Sequence, residues 1–164
     1  RIPWPRGFRT TASATCSANT CPVLRVLLDT NVPLNVWLHS STTPRPMSME
    51  SGLVIAAAAD GGLEAFLTPT SFSNAFYFLR KHLGRAKAIE CATDLLDFTA
   101  IIQQGEDIFR KALQSGWTDL EDAQQYHAAL MQPRITHICT SNVKHYKAAT
   151  GIKVVSPAAL LKVL

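Results

Sequence analysis

The sequence predicts one α/β domain, a three-layer α/β/α arrangement with a central parallel sheet. Two observations carry this expectation. The first apolar run, Val23, Leu24, Val26, Leu27 and Leu28, is nearly continuous in apolar character, as strands buried on both faces are. From there to Leu164, strand-like and helix-like stretches alternate at the spacing that right-handed crossovers require. A chain of 164 residues, 47% hydrophobic, holds enough apolar material for one sizeable core.

The elements are expected in this order. A helix follows Asp29 and runs to about Leu38, and the cluster SSTTPRP at 40–46 is a loop. Ser48 to Ala59 reads as a helix with an alanine-rich packing face, stopped by Gly61 and Gly62. Glu64 to Leu67 is a short strand. Thr70 or Ser71 is expected to cap the next helix, where Phe72, Phe76, Leu79 and Leu83 recur at helical spacing. Gly84 separates it from a helix running from Arg85 to about Asp97. A strand at Phe98 to Ile102, a helix at Glu106 to Leu113 and a turn at Gly116 follow. Asp119 to Met131 is a strongly signalled helix, Ile135 to Cys139 a strand, and Asn142 to Ala149 a short helix. A strand at Lys153 to Val155 and a helix opened by Pro157 complete the chain.

Residues 1–22 contain no acid, begin without Met and show no apolar period, so they are expected to be a tail outside a domain spanning 23–164. Vector-derived residues or a misplaced start explain them better than a transit peptide. Sixteen Lys and Arg against twelve Asp and Glu give +4, which permits a polyanionic partner without resembling a nucleic-acid tail. The four cysteines, at 16, 21, 91 and 139, lack disulfide or zinc spacing, which suits reduced thiols in a cytoplasm. No stretch is long and apolar enough for a membrane span.

Several chemistries lack their residues. There is no GxGxxG or Walker A loop to cradle phosphates, no GxSxG elbow, and no cysteine in a nucleophile signature. Acids and amides at strand ends remain. Asp29 stands where the first strand stops, the edge at which parallel sheets bind ligands. It and Asn31 equally suit the cap of the next helix. In GWTDLEDAQQYHAALM, residues 116–131, Thr118 and Glu121 match a T-x-x-E capping box, and Asp119 suits the positive end of the helix. Asp122 lies beyond that box, one turn from Asp119. Were this helix end to meet the first strand, Asp29, Asp119 and Asp122 could hold Mg²⁺ or Mn²⁺. In ITHICTSNVKHY, residues 135–146, Thr140, Ser141 and Asn142 follow an apolar strand and read either as crevice residues or as a cap. His145 is the histidine nearest this crevice, whereas His127 and His137 read as packing or surface residues.

Together, VLLDTNVPL, TDLEDAQQYHAAL and ICTSNVKHY followed by IKVVSP resemble, in order and spacing, the PIN domain of VapC-like toxins and related ribonucleases. The resemblance covers about residues 23–160. It implies clustered acids that bind Mg²⁺ or Mn²⁺ and hydrolyse RNA phosphodiesters. Asp29 matches the family's first acid, Asp122 the acid of its Asp-Ala pair, and Asp119 an accessory acid. Two positions depart from the pattern: Asn74 stands at the second acid, and His145, followed by Tyr146, at the late one. Asn74 and Asn142 can still ligate through carbonyl oxygens or hold a water, with Asn31 and Thr140 at the periphery, but the cation should bind more weakly than in a four-acid site. The reading implied is an endoribonuclease toxin with a protein antitoxin and a possible homodimer, the helix from Phe72 to Leu83 serving either an interface or the core. Arg80, Lys81 and Lys144 are candidates for contacts with the RNA backbone. The alternative is a PIN-like RNA- or protein-binding module that has lost turnover, which the departures at Asn74 and His145 favour.

Overall fold

The structure, a computed structural model, describes residues 23–164. The expected tail at 1–22 lies outside the described residues.

Five parallel strands form the sheet: β1 (Leu24–Leu28), β2 (Leu63–Leu67), β3 (Thr99–Ile101), β4 (His137–Cys139) and β5 (Lys153–Val155). Their spatial order is β3-β2-β1-β4-β5. The helices are α1 (Asn31–Trp37), α2 (Ser48–Ala59), α3 (Pro69–Leu83), α4 (Arg85–Phe98), α5 (Glu106–Gln114), α6 (Leu120–Leu130) and α7 (Pro157–Leu160). The predicted alternation and the three layers are present.

Alternation along β1 builds the layers. Val26 and Leu28 pack with Val32, Val54, Leu95 and Leu160 on one face. Leu27 points the other way, into a core with Ile108, Tyr126, Ala129 and Ile138. From Val26 onward both faces of the central strand are therefore dry, which is why Arg25 at its start is its one polar residue.

Some boundaries differ from expectation. Thr68, rather than Thr70 or Ser71, caps α3: its hydroxyl accepts from the Ser71 amide at 2.9 Å, and Pro69 takes the first helical turn. Asp119, rather than the Thr118–Glu121 pair, starts α6, accepting from the Glu121 amide at 2.8 Å and the Asp122 amide at 3.3 Å. The expected helix from Asn142 to Ala149 is only a 3₁₀ turn, Val143–Tyr146. In α3, Leu79 is fully buried and Phe72 and Phe76 are half-buried, but Leu83 is exposed at the helix end. Among the described residues no helix is long and apolar enough to cross a membrane.

Strand order fixes where the site must be. The chain builds outward from β1 through β2 to β3, then returns to the other side of β1 to lay down β4 and β5. The order reverses between β1 and β4. Helices leave these two strands on opposite courses, so a crevice opens beyond their carboxyl ends.

Candidate active site at the switch point

Asp29 occupies the end of β1, its amide donating to the Cys139 carbonyl at 2.9 Å and so extending the ladder with β4. The residue is 4% exposed. A buried carboxylate needs donors, and three side chains supply them. Gln125 of α6 donates from Nε2 to Oδ1 at 3.0 Å. The Thr140 hydroxyl donates to Oδ2 at 2.6 Å, and the Asn31 amide nitrogen reaches the same oxygen. Burial pushes the Asp29 pKa up, opposed by the bonds from Thr140 and Gln125 and by the backbone amides of Thr30 and Asn31.

Thr140 is the hub that joins β4 to β1. Its oxygen also accepts from the Asn142 amide at 2.9 Å and the Asn31 side chain at 3.1 Å. Asn31 in turn accepts from the Ser141 amide at 2.9 Å through Oδ1. Asn31 and Thr140 therefore hold Asp29 and do not cap helices by their side chains. Asn142 contributes its backbone amide to this network, and its exposed side chain faces the cavity beside Asn31.

The start of α6 brings in the remaining acids. Asp122 is 7% exposed and accepts or shares a proton with His145 Nδ1 at 3.1 Å. Its pKa is pushed up to about 6, first by burial and then by the charges of Asp29 and Asp119, against the pull of His145. Glu121, which the sequence assigns to a capping box, turns into the crevice instead. One of its oxygens takes the Thr30 hydroxyl, and the other accepts from Asn74 Nδ2 at 2.7 Å. Burial raises its pKa too, with Asp29 and Asp119 adding to the effect and the bonds from Thr30 and Asn74 opposing it.

Glu121 is thus the crevice carboxylate that sequence reasoning missed. Asn74 sits on α3 where a carboxylate was expected, and it binds one. Asp119 is exposed and holds the helix start, so its influence on the crevice is the field it adds. Gln125 was missed as well: it is fully buried in α6, and its Oε1 has no hydrogen-bond partner among the described residues. A long polar side chain on the dry face of a helix was the signal available.

Asp29, Glu121 and Asp122 face one another with no Lys or Arg paired to any of them among the described residues. Burial is the first cause of all three raised pKa values, and at Glu121 and Asp122 the charges of neighbouring acids add to it. Among the described residues, three His, Cys, Asp or Glu side chains do not already converge as a metal cage. The carboxylate oxygens present are hard donors, the kind that Mg²⁺ or Mn²⁺ takes.

Two cavities flank the acids. One, of about 710 Å³, opens beside Asn31 and Asn142 and is walled by the loop at 38–46. The other, of about 560 Å³, lies beside Asp119 and His145 and is lined by Trp117, Lys144 and Lys147. Lys144 lines the second cavity, whereas Arg80 and Lys81 line neither. Trp117 is held in place by stacking on Tyr126, with ring centroids 5.0 Å apart.

A parallel sheet ordered in this way, with buried acids at its switch point, defines a class of small α/β domain with an anionic crevice. Residues 25–144 match the family model of the PIN domain, and the chain belongs to that family. No curated protein matches the sequence significantly. Among solved structures the fold is similar to VapBC2 from Rickettsia felis bound to a DNA fragment from its promoter, at TM-score 0.60 and 13% identity over 81% of this chain and 98% of that one. It is also similar to VapBC-1 from nontypeable Haemophilus influenzae, at TM-score 0.59 and 13% identity over 82% of this chain and 99% of that one. A third is Mycobacterium tuberculosis VapC20, a Sarcin-Ricin loop cleaving toxin, at TM-score 0.52 and 11% identity over 69% of this chain and 86% of that one.

Proposed function

We propose that the chain is a Mg²⁺- or Mn²⁺-dependent endoribonuclease and the toxin of a toxin–antitoxin pair. The observation that carries this reading is the set of uncompensated acids, Asp29, Glu121 and Asp122, gathered at the switch point of a PIN-domain sheet. The cleavage named for VapC20, and the likeness of the fold to VapBC structures and to a toxin-antitoxin complex from Klebsiella pneumoniae, support it.

Asp29 and Asp122 would hold the cation, with Glu121 adding negative charge beside them and Asp119 strengthening the field from the helix start. When bound, the cation lowers the pKa of a water and offsets charge that develops on the phosphoryl oxygens. The protein's own part is positioning. Gln125, Thr140 and Asn31 fix the Asp29 carboxylate so that it does not turn away from the crevice. His145, in the place of the family's late acid, orients Asp122 through Nδ1. Asn74 orients Glu121. A cavity beside Asn31 and another beside His145 leave room near the acids for a strand that continues past the cut.

The surface suits the other partners. The exposed Tyr77 and Phe78 of α3 and Ile89 and Leu96 of α4 offer apolar area to a second copy. The described cysteines, Cys91 and Cys139, are free and buried, which is consistent with work in the cytoplasm.

Induced expression in a bacterial host tests the toxin reading. Growth should stop with the native sequence and continue with Asp29→Ala at equal protein level. Equal growth in both, or equal arrest, would reject it. The non-catalytic module remains the second reading, because Asn74 and His145 replace acids.

A further inference from the structure

We infer that the cavity walled by residues 38–46 is a nucleotide subsite in which Arg45 holds a backbone phosphate of the RNA strand. This rests on the ribonuclease reading and adds to it where the strand lies on one side of the cut.

The cavity, about 710 Å³, lies within the size range of small-ligand sites. Its walls combine three chemistries. Trp37, Leu38 and Pro44 are apolar, His39 and His82 are polar, and Arg45 supplies the positive charge. Arg45 is half-buried and has no carboxylate within ion-pair distance among the described residues. Its Nε instead donates to Asn35 Oδ1 at 3.3 Å. That bond uses one guanidinium donor and leaves the fork of two terminal nitrogens for an anion.

Asn35 makes the arrangement a built one. It is 3% exposed, and its Nδ2 donates to Ser141 Oγ at 2.7 Å. A buried amide on α1 thus ties Arg45 to the residue that follows Thr140. The loop itself is fixed despite its Ser, Thr and Pro composition. The Arg45 amide donates to His39 Nδ1 at 3.0 Å, the Thr43 amide donates to Ser40 Oγ at 3.0 Å, and Pro44 and Pro46 restrict the backbone on either side.

Asn31 and Asn142 line the same cavity and belong to the Thr140 network around Asp29. Among the described residues no acid lines the cavity, but Asn31 on its wall bonds the Asp29 carboxylate directly, so the cavity and the acids are neighbours. A strand can place one phosphate on Arg45 and, where a cation offsets the carboxylates, the next at the acids. The apolar wall beside the guanidinium offers a base a surface to pack on, as sequence-tolerant single-strand sites do.

Binding of a short fluorescent single-stranded RNA, followed by anisotropy in EDTA over a range of salt, tests the subsite without cleavage. Arg45→Ala should weaken binding about tenfold and lower the salt slope by about 0.7, the share of one phosphate on a single strand. Arg45→Lys should keep the slope and recover part of the affinity, and melting curves check that both variants fold. Native affinity and slope in Arg45→Ala, or no binding by the native protein, would overturn the inference. Cleavage by the native protein in Mn²⁺ is read in parallel. Binding through Arg45 without cleavage would defeat the ribonuclease reading alone, and cleavage with no effect of Arg45 on binding would defeat the subsite alone.

Discussion

Asn74 Nδ2 donates to Glu121 Oε2 at 2.7 Å, so the position that lacks the family's second acid is bonded to another carboxylate. The charge expected on α3 is supplied from the first turn of α6. The site therefore holds three buried or half-buried acids, although the two family positions at 74 and 145 are not acidic.

Replacing Asn74 by Glu sets a second carboxylate against Glu121 where a hydrogen bond now joins the two side chains. In EDTA, Asn74→Glu should lower the melting temperature by the equivalent of about 1.5–3 kcal/mol, the loss of a hydrogen bond to a charged group. Mn²⁺ should then raise the melting temperature of the variant by more than it raises that of the native protein. Thermal melts with and without metal decide it. An equal metal shift in both proteins would show that Glu121 and residue 74 do not face the cation.

Asp122 links stability to pH. Its pKa in the folded chain is pushed up from 3.8 to about 6, so the folded state binds the proton more tightly than the unfolded one. The metal-free fold therefore loses stability as pH rises from about 4 through about 6, the opposite of an acid held low by a salt bridge. Asp122→Asn should be more stable than the native protein at pH 7.5 by about 1–3 kcal/mol, and the gap should close below about pH 4. Denaturant titrations across that range measure it, and a gap independent of pH would contradict the electrostatic cause.

His145 pulls the same carboxylate the other way. Removing it in His145→Ala should move the acidic limb of the rate profile to higher pH, because Asp122 loses the partner that favours its charged form. A profile displaced only in height would mean that His145 acts elsewhere.

Gln125 should behave as a positioning residue. Gln125→Leu removes the donor to Asp29 Oδ1 while filling similar space, so the fold should survive. Cleavage should fall by about tenfold or more, with the acidic limb moving up as Asp29 loses a bond to its charged form. Unchanged rate and profile would show that Thr140 and Asn31 suffice.

Much of this was legible in the sequence, for physical reasons. The nearly continuous apolar run before Asp29 announced a strand dry on both faces, and its abrupt end announced the crevice. Asp122 was legible because it fell outside any capping pattern. Glu121 was not, because T-x-x-E satisfies a local rule that the fold does not use: Asp119 already caps α6, and Glu121 meets Thr30, ninety-one residues away. Thr68 was overlooked as the cap of α3 although Pro69, a first-turn residue, follows it. The cavity at Arg45 depends on Asn35 and Ser141, separated by 106 residues, which periodicity and composition do not reveal.

Cleavage of a mixed single-stranded RNA in Mg²⁺ or Mn²⁺ tests the central claim most directly, comparing the native protein with Asp29→Ala and Asp122→Ala and with an EDTA control. The account predicts internal cuts by the native protein, lost in both variants and in EDTA. Equal cutting by native protein and variants, or RNA bound but never cut by the native protein, would contradict it.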